Sequence, residues 1–193
     1  MAPGNLVRFG RHAPHQGLNP EEVASGVLIV TGAAVTRLAT RLQFRFSGVM
    51  TNAPYQFSAH TGDMDREQIH AWLTREAYWA KGRPRALQDA AIDASTNFGM
   101  FDSASGRQVA YARVVTDSVT FAWLCDVFVD PKVRGHGVGV SLMENVCALL
   151  DDLHLKRVVL STGDAHGLYE KFGFEPLAQP EKWMARTAAT PET

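Results

Sequence analysis

The sequence predicts an α/β (α+β) fold, a mixed and mostly antiparallel sheet flanked by helices. Three observations lead there. The runs Phe98 to Phe101, Gln108 to Val115 and Phe121 to Val129 are rich in β-branched and aromatic residues, and Ser105-Gly106 and Asp117-Ser118 supply turns between them. They read as an antiparallel meander. After Pro131 the apolar period changes to that of a helix, with Val140, Leu142, Met143, Val146 and Leu149-Leu150 on one side as far as about Asp152. The run Val158 to Leu160 is continuously apolar, as in a strand buried on both faces.

In chain order, Gln56 to Ala59 reads as a short strand. Asp65 followed by Gln68 is a capping-box pattern, in which a short acceptor side chain takes up a free amide at a helix start. It opens a helix whose apolar stripe is Ile69, Trp72 and Leu73. Pro84 then suits a helical first turn, and Leu87, Ala91 and Ile92 should form the buried face of a second helix. The meander, the third helix and the buried strand follow. Ala165 to Phe172 reads as a short helix, and Phe174 and Trp183-Met184 as two final strands.

Composition narrows the class. Apolar residues make up 46% of 193, enough for one well-buried domain. A net charge of -1 argues against a nucleic-acid binder, which grips phosphates through a basic surplus. Two cysteines, Cys125 and Cys147, suggest no disulfide framework. No apolar run approaches the roughly 20 residues of a membrane span, and Gly26 to Val35 lacks the flanks of a secretory signal. A soluble cytoplasmic protein without membrane or nucleic-acid partners is expected, with no metal; a homodimer is left open.

Charge is uneven. Residues 1–50 carry Arg8, Arg11, Arg37, Arg41 and Arg45 against Glu21 and Glu22, +3, whereas the remaining 14 basic and 18 acidic residues give -4. This stretch is expected to be an appendage of uncertain order, with residues 51–193 as the domain and Met50 as an alternative start. Two glutamates and a poor amphipathic pattern weigh against a transit peptide, and Pro20 to Leu42 is too short for a whole helix-turn-helix module. A chain starting at Met50 should keep its melting temperature and ligand binding; loss of cooperative unfolding would show that the first 50 residues pack into the domain.

The chemistry concentrates in Asp130-Pro131-Lys132-Val133-Arg134-Gly135-His136-Gly137-Val138-Gly139. A strand ends there and a helix begins on small residues. Helix starts present free amides and a positive dipole end, so they hold anions. Glycines at 137 and 139 let a diphosphate approach the backbone closely, and Arg134 adds charge. A dinucleotide fingerprint would need glycine where Leu142 stands, and no Gly-Lys-Ser/Thr triplet of a Walker loop occurs. The remaining match is R-x-x-G-x-G. With Val127-Phe128-Val129 before it and Leu168-Tyr169-Glu170-Lys171-Phe172-Gly173-Phe174 after the next strand, the segment from about Tyr55 to Arg186 resembles the GNAT acetyltransferase superfamily.

That resemblance implies a sheet splayed between its fourth and fifth strands and acetyl-CoA as cosubstrate. The amides of Arg134, Gly135, His136, Gly137, Val138 and Gly139 would hold its pyrophosphate, and backbone groups of Phe128 and Val129 its pantetheine arm. Tyr169 would be the general acid beside the thioester sulfur. Many members carry asparagine soon after the fifth strand; Asp164 and His166 stand here instead and are further candidates for the cofactor site. Asp126, on the strand beside the opening, is the best-placed carboxylate to take a proton. Acceptor selection should fall to Glu76 to Gly82, with Tyr78 and Trp79 as stacking surface, and to Arg113; Asp117 carries less weight. The function expected is transfer of an acetyl group to the primary amine of a small molecule. The alternatives are a protein amine acetyltransferase and a non-catalytic acyl-CoA sensor.

Overall fold

The computed structural model describes residues 54–186. The expectations for residues 1–50 lie outside them. Helix α1 (Arg66–Glu76) starts at Asp65, whose side chain accepts from the Gln68 amide at 2.9 Å, and Arg75 in its last turn complements the dipole. Its buried residues are Ile69, Trp72 and Leu73, the predicted stripe. Helix α2 (Arg85–Asp93) begins one residue after Pro84. Of the predicted face, Ile92 is fully buried and Ala91 half-buried, but Leu87 is 58% exposed and Gln88 is buried in its place. The reason is polar, because the Gln88 Oε1 accepts from Arg83 at 2.7 Å and turns that side of the helix inward.

Five strands form one sheet in sequential order: β1 (Tyr55–Ser58), β2 (Thr96–Asp102), β3 (Gln108–Thr116), β4 (Phe121–Val129) and β5 (Arg157–Val159). The first three pairings are antiparallel and β4–β5 is parallel, joined by helix α3 (Val138–Asp151) as a parallel pair requires. Helix α4 (His166–Tyr169) and a 3-10 turn at Glu170–Phe172 follow. The two expected final strands do not form among the described residues. Met184 is 97% exposed, Trp183 lies under the Arg157 guanidinium, and Pro180 begins a 3-10 turn, so this stretch offers no ladder.

The sheet buries both faces. Leu142, Met143 and Val146 of α3 pack on Phe98, Met100, Ala112 and Leu124. Ile69, Trp72 and Leu73 of α1, with Ile92 of α2, cover Tyr111 and Phe128 on the other side. Leu124 and Phe128 have the same strand parity yet serve opposite faces, which a regular strand forbids. A bulge accounts for it: the β3–β4 register shifts between Tyr111/Phe128 and Arg113/Cys125, and Asp126 takes φ 52°. Pairing of β4 with β5 runs only from Phe121↔Arg157 to Trp123↔Val159. Beyond Trp123 the two strands part.

Candidate active site

The parting of β4 and β5 opens a cavity of about 790 Å³, lined by β4, the glycine turn, the start of α3, the segment after β5 and the α1–α2 connection. At the glycine turn, Gly135 and Gly137 have φ of 81° and 78°, a left-handed conformation that side-chain-bearing residues adopt only with strain. A Cβ at either would meet nothing within 4 Å, so the space beside them is open. Gly137 is the N-cap of α3, and its carbonyl accepts from Ser141 at 2.9 Å. Among the described residues, the amides of Gly135, Gly137, Val138 and Gly139 find no backbone acceptor. Neutral donors at a long helix start, with the Asp130 carboxylate drawn off onto Arg107 and the Lys132 amide, suit a diphosphate.

Arg134 does not extend into open space. Its Nε donates to the Val129 carbonyl at 3.0 Å, and its guanidinium lies 5.3 Å over the Phe128 ring. The Asp130 amide donates to Val109 of β3, so strand alternation directs the backbone groups of Phe128 toward β3 and those of Val129 to the open edge. The expectation for the two residues therefore divides: Val129 presents backbone to the cavity, while Phe128 contributes its ring, stacked on Trp72 at 5.5 Å. The expectation for the amides of Arg134 and His136 is corrected too: they donate to the Pro131 and Val133 carbonyls, each at 3.4 Å, and so differ from the four free amides. The His136 side chain is likewise turned away. Its Nδ1 sits 3.1 Å from the Arg134 carbonyl and 3.3 Å from that of Val133, so the imidazole folds back on its own loop and is absent from the lining.

Tyr169 lines the cavity at 9% exposure, edge-on to Phe174 with centroids 5.9 Å apart. No hydrogen bond among the described residues takes up its hydroxyl. Burial first, then the charge of Asp164 and the neighbouring Tyr78, push its pKa up to about 12, so it is a neutral donor at any physiological pH. Asp164 shares the cavity lining. His166 does not; it lines an adjoining cavity of about 290 Å³ with Glu170 and Glu175, which shares Ser161, Thr162 and Tyr169 with the first.

Asp126 lines the cavity too, but its carboxylate is fully engaged. Arg83 reaches it at 2.8 and 3.3 Å, Arg113 Nε at 3.0 Å and the Trp79 indole N–H at 3.1 Å. Burial alone would raise its pKa, but the two arginines more than offset this and hold it below the ordinary carboxylate range. A group so stabilised as an anion is a poor proton acceptor, which tells against the expected base role. Arg113, expected to meet the acceptor, also donates from Nη1 to the Ser95 hydroxyl at 3.0 Å and stays outside the cavity. Asp117 is a turn former, accepting from the amides of Val119, Thr120 and Phe121.

The α1–α2 connection supplies the remaining wall. Tyr78 and Trp79 meet edge to face at 4.9 Å, and the Tyr78 hydroxyl accepts from the Gly163 amide at 2.9 Å, linking this connection to the segment after β5. A Cβ on Gly163 would come within 2.9 Å of that hydroxyl, so any larger residue there would make the Tyr78 side chain shift. Trp123 of β4 joins the lining and was not anticipated; its alternation with buried Ala122 and Leu124 was the available signal. Arg83 had none, since its partner Asp126 lies 43 residues away.

Residues 64–174 match the model of the acetyltransferase (GNAT) family, more than half of the chain. The chain belongs to the GNAT acetyltransferase family. A solved GNAT-family acetyltransferase from Xanthomonas campestris pv. campestris is 45% identical with a TM-score of 0.66, over 69% of this chain and 93% of that one. A protein of Gibberella zeae named as an acetyltransferase is 30% identical over 140 residues, 63% of this chain and 78% of its own. Serotonin N-acetyltransferase 2 of Oryza sativa subsp. japonica is 33% identical over 106 residues, 51% of this chain and 53% of its own. The protein is thus an acetyl-CoA-dependent acetyltransferase with the family's splayed sheet. No helix of its described residues is long and apolar enough to cross a membrane, and no group of three metal-ligating side chains occurs among them.

This GNAT acetyltransferase should lose cosubstrate affinity on Gly137→Glu. The left-handed residue costs on the order of 1 kcal/mol in stability, and the new carboxylate stands at the amides suited to pyrophosphate. Calorimetry should show CoA binding weakened by about 100-fold or more, equivalent to roughly 2.7 kcal/mol. Unchanged affinity in a folded variant would move the diphosphate site elsewhere.

Proposed function

We propose that the enzyme transfers the acetyl group of acetyl-CoA to a primary amine of a small molecule by direct attack on the thioester. The observation that carries this reading is the largely buried Tyr169 side chain, its hydroxyl without a hydrogen-bond partner among the described residues, lining the same cavity as the free amides of the glycine turn. The rice relative, a serotonin N-acetyltransferase by name, supports an amine acceptor. In this reading the pyrophosphate lies on the amides of Gly135, Gly137, Val138 and Gly139. The Val129 carbonyl, now held by Arg134, pairs with the pantetheine arm once that side chain swings toward the phosphates.

The nucleophile must be neutral. For an alkylamine of pKa near 10.4, deprotonation at pH 7 costs roughly 4–5 kcal/mol, reduced where desolvation disfavours the ammonium. The amine nitrogen bonds to the acetyl carbon, its surplus proton leaves to solvent, and the carbon–sulfur bond breaks. Tyr169 then donates a hydrogen bond to the sulfur as negative charge builds there. With Asp126 locked in its ion pairs, water connected to Asp164 is the proton route we favour.

An acceptor screen over amines, amino acids, aminoglycosides and peptides, following thiol release from acetyl-CoA, tests the reading. Acetylation confined to peptides would overturn the small-molecule assignment, and transfer to hydroxyls alone would overturn the amine.

A further inference from the structure

The charges around the acceptor wall do not cancel. Of the lysines and arginines, only Arg134 is among the cavity's lining residues, and its guanidinium is held at the Val129 carbonyl and the Phe128 ring. Arg83 and Arg113 are committed to Asp126. On the opposite side of the balance, Glu76 and Asp164 both line the cavity, and no hydrogen bond or ion pair among the described residues takes up either carboxylate. Three aromatic side chains share this lining, Tyr78, Trp79 and Trp123, each more than a third exposed. Trp79 cannot turn freely, because its indole N–H is bound to Asp126. The Tyr169 side chain, nine-tenths buried, lines the same space, and no hydrogen bond among the described residues takes up its hydroxyl.

Free carboxylates beside exposed aromatic faces attract a cation twice, through charge and through the ring quadrupole. The same wall repels a carboxylate or phosphate, for which it offers no cationic partner. Resting on the proposed small-molecule amine reading, we propose that the acceptor is a di- or polyamine: one nitrogen is acetylated while a second, still protonated, sits among Glu76, Asp164 and the Tyr78–Trp79 pair. The reacting nitrogen is neutral when it attacks, so the recognition charge must be carried elsewhere on the molecule. A second amine supplies it.

A matched series tests this: 1,5-diaminopentane, pentylamine and 5-aminopentanoate share chain length and differ only in the charge of the far end. kcat/KM should fall in that order, the diamine exceeding the monoamine by about 3- to 10-fold, as expected for a partly exposed ion pair with cation–π contact. Glu76→Gln should bring the diamine-to-monoamine ratio toward one, chiefly through KM; Asp164→Asn should move the ratio the same way while also lowering kcat for every amine, because that carboxylate lies on the proposed proton route. Glu76→Lys should invert the order of diamine and amino acid. Circular dichroism and acetyl-CoA titration establish that each variant folds. A flat series, a preference for the amino acid, or a ratio unmoved by all three substitutions would overturn the proposal while leaving amine acetylation intact. If none of the three is acetylated by an enzyme that binds acetyl-CoA and acetylates only peptides or hydroxyl acceptors, both this proposal and the small-molecule amine reading fall.

Discussion

Tyr169→Phe should lower kcat by about 10²- to 10⁴-fold while the dissociation constant for acetyl-CoA stays nearly constant. The split follows from when the hydroxyl acts. In the ground state the thioester sulfur is uncharged and a weak acceptor, so removing the donor costs little binding. As the carbon–sulfur bond breaks, charge accumulates at sulfur and the hydrogen bond strengthens, so its loss falls on the transition state. The raised pKa, about 12 through burial, sharpens the role. A thiol of pKa near 8.5 makes full proton transfer from such a phenol uphill by roughly 5 kcal/mol. Tyr169 therefore donates a hydrogen bond while solvent completes protonation, and kcat should show no alkaline limb attributable to this residue below about pH 11. Single-turnover measurements with a confirmed acceptor check both points. A variant with unimpaired turnover would remove Tyr169 from the chemistry.

Asp126→Ala should be the most destabilising single change near the site. It leaves Arg83 and Arg113, whose side chains are 18% and 14% exposed, without their shared counter-ion. Breaking a buried pair from one side costs about 3–5 kcal/mol, which for a domain of this size lowers the melting temperature by roughly 10–20 °C. Asp126→Asn is milder, since the amide keeps the shape and tolerates a positive φ. It still weakens the contact to the Trp79 indole, so the acceptor KM should rise more than kcat falls. A general base would behave the other way, with kcat lost and the acid limb of its pH profile abolished. The pH dependence of stability has a definite sign. The folded pKa of Asp126 is depressed, so its contribution is present above the unfolded carboxylate value near 3.9 and is lost as pH falls through the lower folded value. Asp126→Asn should flatten acid unfolding below about pH 4.

What could be read from the chain depended on the range of the forces involved. Strand β4 was legible to the residue because its ends are set by a turn on one side and Asp130-Pro131 on the other. Helix α1 was legible because its cap and stripe are local, and the glycine turn because backbone conformation and ligand chemistry demand the same small residues. The face of α2 was legible only in part: Ile92 turns inward as its spacing suggests, but Gln88 takes the place of Leu87 through its bond to Arg83. Trp183-Met184 has the composition of a strand, yet composition supplies no partner strand for its amides. Asp126 was visible as a carboxylate on the right strand; that two arginines and an indole would saturate it is a fact of tertiary assembly. His136 and Arg113 follow the same rule, placed correctly along the backbone and aimed elsewhere by neighbours.

The bulge at Asp126 makes β4 a strand of two phases. Before it, even-numbered residues such as Leu124 address the α3 side, and after it Phe128 addresses the α1 side. Removing one residue between Cys125 and Val127 would not simply shorten a strand. It would restore a single phase and force either the leucine or the phenylalanine out of its layer, or else slide the Arg134 turn by one position along the cavity. Each outcome exposes a large apolar group or misaligns the amides at the start of α3. Insertions and deletions here should therefore be far less tolerated than substitutions, in contrast to the exposed turn at Asp117 to Thr120, where chain length carries no phase information.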